Sequence, residues 1–355
     1  MPDHLHVYAG TAGHSAWFSE DGGHQWVHPN SHSGMYLEAR VWSFASHPIE
    51  PEMLWAGTDM GLFKWDEPTA RWTRVAIQAD HGASELDIWV IAIHPDNPQI
   101  LFAGTRPAGC HKSIDGGQTW QKLDVPGLQS FSTINMGATR VTQIAFDPLD
   151  PQAVWMTIEI GGIFFSPDGG TTWHARDQGL VSCDVHGIAL VDMPQPATSA
   201  SATQRLMYAT TNRGLHVSTD RGEHWSFVKL DSPWQYTRSI VQRADHTGVM
   251  FLTNGNGPPG DDGKLLISKD HGQHWQPVDL PGRINSTVWT VATHPSNPLQ
   301  LFTCTNLGQL FESTDGGHHW QRLHHEFGEL RALHWRPLPA GMRQQAHSVT
   351  LRPSL

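Results

Sequence analysis

Two aspartates, Asp59 and Asp87, are the residues of this 355-residue sequence with the clearest potential for catalysis. Each stands at one end of a short apolar segment, Leu54–Thr58 for Asp59 and Asp87–Pro95 for Asp87. Two carboxyl groups beside a glycosidic bond can hydrolyse it, one as a general acid and the other as a base or nucleophile. Asp59 and Asp87 are therefore candidates for such a catalytic carboxylate pair.

When the repeats of the sequence are aligned, charged residues recur at one equivalent position, which we call a column. Counting back seven positions from the histidine of each His-Pro turn, or from its equivalent, gives Arg40, Asp87, Arg140, Asp184, Arg238, Thr287 and Glu329. All but Thr287 are charged, although only 16% of the chain is. Two positions further on stand Trp42, Trp89, Thr142, His186, Ile240, Trp289 and Arg331. Such a regular column indicates one polar surface to which every repeat contributes.

These columns predict a site for a small polar or carbohydrate ligand. Guanidinium groups bind carboxylates bidentately, and tryptophan rings can stack on sugars. Loops after the neighbouring strands add Arg106 and Glu159 beside Asp59. The predicted substrate-binding residues are Arg40, Trp42, Trp89, Arg106, Arg140, Glu159, Asp184, His186, Arg238, Trp289 and Glu329. Because the signs of the charges nearly alternate, a ring of ion pairs without a ligand is the alternative interpretation.

The elements that must position these residues follow from a repeated motif, Ser-x-Asp-x-Gly-x-x-Trp. Its aspartate can accept backbone N–H groups and its glycine can adopt positive φ, as a tight hairpin turn requires. The motif is therefore predicted to be a folding element, with core tryptophans at 120, 173, 225, 275 and 320. A degenerate copy ends at Trp72. The full copies are Ser19–Trp26, Ser113–Trp120, Ser166–Trp173, Ser218–Trp225, Ser268–Trp275 and Ser313–Trp320.

Each repeat of roughly 50 residues holds four short strand-like segments, as a propeller blade does. Seven repeats predict an all-β, seven-bladed β-propeller, with residues 1–355 as a single domain. The first repeat lacks an innermost strand, whereas Glu329–Pro337 has that pattern with no motif after it. We therefore expect Glu329–Pro337 to join the N-terminal blade and close the ring, which removes open sheet edges. Residues 338–355 are expected to form an extra strand or a tail.

The repeated motif is the Asp box, and the chain resembles Asp-box (BNR) propellers over nearly its whole length. That group includes sialidases, the sortilin ectodomain, photosystem II assembly factors and the xyloglucanase-type glycoside hydrolases. Propellers usually bind ligands at one end of the central channel. The resemblance therefore implies that the charged column lines a channel mouth, on the face opposite the Asp boxes.

The segment Leu54–Val75 resembles the first propeller of the xyloglucanase-type hydrolases, whose matching segment carries a catalytic aspartate. The resemblance implies that role for Asp59 and is what singles it out among the carboxylates. Met60-Gly61 stands where those enzymes have Gly-Gly, and Phe63-Lys64 stands where they have Tyr-Arg. Those enzymes carry their second carboxylate on a second propeller, whereas the repeats here account for one.

Composition limits the partners that can be expected. The net charge of −11 disfavours nucleic acid, because phosphates would be repelled. No apolar run approaches the length of about 18 residues needed for a membrane span. No signal-peptide pattern is present at the N-terminus, and Cys110, Cys183 and Cys304 are too scattered for a disulfide framework, so we expect a cytoplasmic protein. Without ligand-spaced histidines or a nucleotide-binding motif, we expect no metal and no cofactor.

Three function classes fit these patterns. A hydrolase acting on a sugar or another small polar substrate, with Asp59 and Asp87 as the carboxylate pair, is the leading hypothesis. The alternative is a non-catalytic binding or assembly propeller with a protein partner, similar to the photosystem II assembly factors. A metal-dependent lactonase or lyase is disfavoured, because the arginines would oppose a cation at the mouth.

Overall fold

The strands of the computed structural model form seven sheets around a central channel, counted over the described residues. The structure describes residues 5–337 apart from 49, 51, 78–85, 133–136 and 195–202. The extra strand or tail expected at 338–355 lies outside the described residues. The chain begins with strands β1 (Leu5–Thr11) and β2 (Ala16–Ser19).

Six blades then follow in chain order, each with four antiparallel strands that run from the channel outward. Blades 1 to 3 contain β3 (Val41–Ser46), β4 (Leu54–Thr58), β5 (Gly61–Asp66), β6 (Arg71–Val75), β7 (Asp87–Ile93), β8 (Leu101–Arg106), β9 (Cys110–Ser113), β10 (Gln121–Lys122), β11 (Arg140–Asp147), β12 (Asp150–Glu159), β13 (Gly162–Ser166) and β14 (His174–Ala175).

Blades 4 to 6 repeat this order. They contain β15 (Val185–Pro194), β16 (Thr203–Thr211), β17 (Gly214–Ser218), β18 (Ser226–Val228), β19 (Tyr236–Gln242), β20 (Met250–Gly255), β21 (Gly263–Ser268), β22 (Gln276–Pro277), β23 (Val288–Ala292), β24 (Leu301–Thr305), β25 (Leu310–Ser313) and β26 (Gln321–Arg322). The last strand, β27 (Leu330–Pro337), returns to the N-terminal blade.

The closing blade combines both ends of the described chain. Strand β27 is its innermost strand and pairs antiparallel with β1, from Leu5 opposite Pro337 to Thr11 opposite Leu330. Strand β2 pairs with the other edge of β1, and a single bridge from Phe18 to Val27 stands where other blades have a fourth strand. Strand β27 also packs against β23 and β3, the innermost strands of the blades on either side. The predicted seven-bladed fold and its closure are therefore confirmed.

A buried ion pair fastens the closing blade to blade 1. Arg336 in β27 is completely buried, and its guanidinium contacts the carboxylate of Glu67 in the turn after β5. The same guanidinium donates to the Tyr8 hydroxyl in β1 at 2.7 Å. The Arg336 side chain thus connects β27 to β1 and to the turn after β5.

The Asp boxes are turns that hold neighbouring blades together. In the box of blade 2, the Ser113 hydroxyl donates to Asp115 at 2.8 Å and accepts the Gly117 N–H at 2.9 Å. Gly117 has a φ of +86°, and a Cβ there would lie 2.6 Å from the ring of Trp55 in blade 1. A glycine is thus required both for the turn and for the close contact with the preceding blade.

The box tryptophans differ in burial. Trp173, Trp225 and Trp320 are buried, in agreement with the core role predicted for them. Trp120 and Trp275 are only half-buried, so the prediction of a uniform set of core tryptophans is wrong for these two. The motif therefore specifies the turn but does not by itself determine how deeply its tryptophan ring is buried.

Candidate functional site at the channel mouth

Every innermost strand carries a β-bulge near its first residues, at the end of the blade opposite the Asp boxes. In blade 1, Val41 pairs with Thr58 and Ser43 with Gly57, so Trp42 is left without a partner. A bulge re-aims the extra side chain, which makes this position suited to line a site. Five other blades have a single-residue bulge at the equivalent place. The unpaired residues there are Trp89, Thr142, His186, Trp289 and Arg331.

Blade 5 places Arg238 at this bulge, together with Ser239. Arg238 is therefore equivalent to Trp289 and Arg331, two positions further along the strand than the sequence column assigns. The column count starts from Asp245, whereas the residue that closes the turn is Arg243, whose N–H donates to Val249. The insertion within this turn shifts the count by two positions, and Tyr236 occupies the place that the column gives to Arg238.

One half of the mouth is a stack of two indoles and a guanidinium. The rings of Trp42 and Trp89 lie 4.2 Å apart between centroids and are inclined by only 12°. The Arg140 guanidinium lies 4.2 Å from the centroid of the Trp89 ring. Because Trp42 and Arg140 belong to the blades on either side of Trp89, both faces of that ring are covered.

The other half repeats this arrangement with two guanidinium groups. Arg238 lies 4.3 Å and Arg331 4.8 Å from the centroid of the Trp289 ring, and these arginines come from the blades on either side. Among the three predicted tryptophans, Trp42 alone keeps a ring face without a stacking partner in the described part of the chain. The mouth therefore presents guanidinium groups more than free aromatic faces.

Arg140, Arg238 and Arg331 form one positive cluster. Burial lowers the pKa of both Arg140 and Arg331, and the charge of Arg238 lowers both further. All three remain protonated, because an arginine does not lose its proton in proteins. Arg140 pairs with Glu159, and Arg331 pairs with Glu329. Within the described ranges, Arg238 forms no ion pair.

Asp184 and His186 lie beside this cluster. The Nδ1 of His186 is 2.7 Å from the Thr237 carbonyl oxygen, which can only accept, so Nδ1 carries the proton. The Nε2 of His186 lies 3.4 Å from Asp184, and this contact becomes an ion pair when the ring is protonated. Burial favours a higher pKa for Asp184, but His186, Arg238 and Arg140 together hold that pKa below its ordinary value.

Asp87 is the titratable carboxylate nearest the Trp42–Trp89 stack. The Trp42 indole N–H donates to its Oδ1 at 2.7 Å, and Arg106 faces it across the β7–β8 ladder. Burial raises the pKa of Asp87 to about 6, although the two indoles and Arg106 act in the opposite direction. The charge of Asp59 adds to the rise, so the two predicted carboxylates are within electrostatic reach of each other.

The rest of the predicted set lies toward the rim. Asp59 accepts the Arg40 backbone N–H at 2.9 Å, and its own N–H donates to the Arg40 carbonyl at 3.1 Å. The Arg40 side chain is exposed and forms no ion pair with any described residue. The structure thus brings the arginines and tryptophans together and leaves Arg40 at the edge.

Two residues of the site, Arg331 and Tyr236, are absent from the predicted binding set. Arg331 stands in the second column of the sequence, and its position beside Trp289 could have been recognised there. Tyr236 could not, because the shifted count in blade 5 hides it; its ring lies 5.1 Å from that of His186.

Two further properties concern the whole described chain. No group of three or more histidine, cysteine, aspartate or glutamate residues in it is arranged to hold a metal ion. The part of the chain that the structure describes also contains no helix with the length and hydropathy needed to cross a bilayer.

Comparison with known proteins supports the propeller assignment. A family model described as "Sortilin, neurotensin receptor 3" (Sortilin-Vps10) matches residues 213–347. Xyloglucanase Xgh74A of Acetivibrio thermocellus is 23% identical over 321 residues, which cover 77% of this chain and 37% of that protein. The chain thus spans well under half of that relative. These matches confirm the resemblance to Asp-box propellers.

Solved structures agree with this fold. The GH74 xyloglucanase from Xanthomonas campestris has a TM-score of 0.61 at 21% identity, over 84% of this chain and 46% of that one. The structure of YCF48 bound to D1 peptide has a TM-score of 0.53 at 15% identity, over 83% of this chain and 82% of that one. At these identities the similarity shows the fold alone.

Proposed function

We propose that this protein is a binding propeller that holds a carboxylate-bearing polar ligand at the channel mouth. The observation that carries this proposal is the cluster of Arg140, Arg238 and Arg331 around stacked indoles. A convergent set of polar groups with aromatic walls is the usual form of a ligand site.

The stacking leaves the arginines suited to bind an anion. A guanidinium over the face of an indole can keep N–H groups free to hydrogen-bond to a carboxylate. Arg140 and Arg331 already direct such contacts to Glu159 and Glu329. Arg238 has no such partner among the described residues, so it is the primary anchor for the ligand anion.

The relatives support a binding role in general terms. The similar propeller YCF48 has been solved bound to D1 peptide, and other relatives are named xyloglucanases. Both kinds of ligand carry many polar groups, but neither name identifies the ligand of this chain. The arginine cluster is what favours an acidic ligand over a neutral one.

A titration with simple carboxylates tests the proposal. Glucuronate, succinate and N-acetylglycine are added to the protein, with glucose as the uncharged match for glucuronate, and binding is followed by calorimetry and NMR. At least one carboxylate is expected to bind more tightly than glucose and to weaken as salt is added. Arg238→Ala is expected to reduce this affinity by at least tenfold, because removing a desolvated charge typically costs about 2–5 kcal/mol.

Arg213→Ala is the matched control. Arg213 is an exposed arginine in the β16–β17 turn, on the same face of the propeller but outside the cluster. This variant is expected to bind carboxylates as the wild type does. If no carboxylate binds, or if both arginine variants behave alike, the anion-binding proposal is wrong.

A second candidate function, hydrolysis of a glycoside, is favoured by the environment of Asp87. A carboxyl group with a pKa near 6 can serve as a general acid near neutral pH, and Asp59 would then be the base or nucleophile. The partial alignment with xyloglucanases supports this candidate. For such an enzyme the arginine cluster would orient an acidic group of the substrate.

Turnover separates the two candidates. Xyloglucan oligosaccharides and 4-nitrophenyl glycosides are incubated with the wild type and with Asp59→Asn, Asp87→Asn and Glu38→Gln, all checked for unchanged melting. Glu38 is exposed in the loop before blade 1 and serves as the control. A hydrolase would lose activity in the two aspartate variants only. Absence of turnover in the wild type would leave the binding role as the function.

A further inference from the structure

A cavity of about 440 Å³ opens at the seam between the closing blade and blade 6. Its walls come from the β1–β2 turn, from β2 and the segment after it, and from the loop between β26 and β27. We call it the seam cavity and define it by Thr11, His14, Trp17, His28, His325 and Phe327. Its volume falls within the range of about 300–1,000 Å³ that is usual for small-molecule sites.

The walls of the seam cavity are a cluster of aromatic rings. The Trp17 ring has His28 at 4.4 Å, His325 at 5.2 Å and Phe327 at 5.5 Å, measured between centroids. Trp26 supports this cluster from behind, with its ring 4.8 Å from Phe327. The walls of the cavity are therefore mostly aromatic.

Several polar atoms in these walls have no partner in the described chain. The Nδ1 of His28 lies 2.6 Å from the Pro29 carbonyl oxygen and must carry the proton, so the Nε2 of the neutral ring is an acceptor. His325 forms no hydrogen bond with any described residue. The indole Nε1 of Trp17 is buried and also lacks an acceptor there. A buried N–H normally has a partner, so the Trp17 indole indicates a ligand that supplies an acceptor. The exposed His28 and the half-buried His325 offer further hydrogen bonds to such a ligand.

We propose that the seam cavity is a second ligand site and that it binds one pyranose ring of a neutral sugar. The C–H face of a pyranose would lie on the Trp17 ring, and the Phe327 ring, inclined to it by 84°, would contact the edge of the sugar. The sugar hydroxyl groups would reach the imidazoles of His28 and His325. The proposal does not depend on anion binding at the channel mouth, because none of the three clustered arginines lines this cavity.

Other ligand classes fit the cavity less well. A wholly apolar ligand would leave the buried Trp17 N–H without an acceptor, which is costly. A cation finds no free carboxylate, because Glu326, the one acidic residue among the lining residues, is paired with Arg322. A hydroxyl group can both donate and accept, so it suits an imidazole of either tautomer.

Saturation-transfer NMR on the intact protein tests this site. The probes are methyl glycosides of glucose, galactose, mannose and xylose, with indole and choline as the apolar and cationic alternatives. At least one pyranoside is expected to bind with a dissociation constant in about the millimolar range. Trp17→Ala and His325→Ala are each expected to weaken that binding at least tenfold.

The controls separate this proposal from the mouth site and from misfolding. His324→Ala removes an exposed neighbour of His325 and is expected to bind as the wild type does. Arg238→Ala should also keep pyranoside binding, so that failure at one site does not imply failure at the other. If Trp17→Ala does not fold, the pyranoside affinity of His325→Ala alone tests the proposal. The proposal is overturned if no pyranoside binds, if only indole or choline binds, or if His325→Ala and His324→Ala have equal affinity.

Discussion

The guanidinium of Arg238 lies 4.3 Å from the centroid of the Trp289 ring and thereby joins two blades at the channel mouth. Trp289 is itself held by a hydrogen bond of 3.2 Å from its indole N–H to the Arg331 carbonyl oxygen. The indole is therefore a fixed platform on which Arg238 and Arg331 are both oriented, and it acts on a ligand through these arginines.

This relationship predicts that Trp289→Leu weakens carboxylate binding although Trp289 is not an anion ligand. A cation–π contact is worth about 0.5–2 kcal/mol, so the expected loss of affinity is about twofold to thirtyfold. Binding is measured at a temperature where melting curves show the variant to be folded. In the background of Arg238→Ala the same substitution should have a smaller effect than in the wild type, because only Arg331 still contacts the ring. Independent, additive losses would contradict the positioning role.

The buried ion pair between Arg336 and Glu67 predicts a large loss of stability when it is broken, part of which a second substitution should restore. Arg336→Met removes the buried guanidinium but leaves Glu67, only 8% exposed, as an uncompensated charge. Breaking a buried pair in this way typically costs about 3–5 kcal/mol. Adding Glu67→Gln to Arg336→Met should restore part of this free energy, as measured by urea unfolding. If the double variant is less stable than Arg336→Met alone, electrostatic compensation is not the role of the pair.

The different burial of the Asp-box tryptophans predicts that Trp→Ala lowers the free energy of unfolding by different amounts in different blades. Trp173 is 4% exposed, and Trp173→Ala should reduce the free energy of unfolding by about 3–5 kcal/mol. Trp120 is half-buried at the equivalent position, so Trp120→Ala should cost clearly less. Urea unfolding of the two variants gives the comparison directly. Equal losses would mean that the turn, and not burial of the ring, sets the contribution of this residue.

The fold could be predicted from the sequence because each blade repeats the same local chemistry. Ser113, Asp115 and Gly117 form their turn from contacts within five residues, and such local signals repeat in every full box. The closing strand was recognisable because Leu330–Pro337 lacks a box, so a missing partner had to come from the N-terminus.

The site was less predictable because it depends on register between distant strands. The bulge that places Arg238 beside Trp289 is a property of the β19–β20 pairing, and a fixed count from Asp245 misses it by two residues. The columns did identify Arg140, Trp42 and Trp89 as neighbours of one surface. They could not reveal that these side chains cover one another, since stacking across blades has no sequence signal.

The raised pKa of Asp87 predicts how its burial affects stability as pH changes. Its folded pKa is about 6, against an ordinary value of 3.8, because burial penalises the charged form. Between these values the folded state binds more protons than the unfolded state, so this residue favours folding at low pH and that contribution is lost as pH rises through about 6. The free energy of unfolding of the wild-type protein should therefore fall by on the order of 2 kcal/mol relative to that of Asp87→Asn between pH 4 and pH 7.

The Asp87→Asn variant is the matched comparison, because asparagine keeps an oxygen that can accept the Trp42 indole N–H while removing the charge. Urea unfolding of both proteins across this range gives the difference, and parallel curves would show that Asp87 ionises in the folded protein as it does in the unfolded chain.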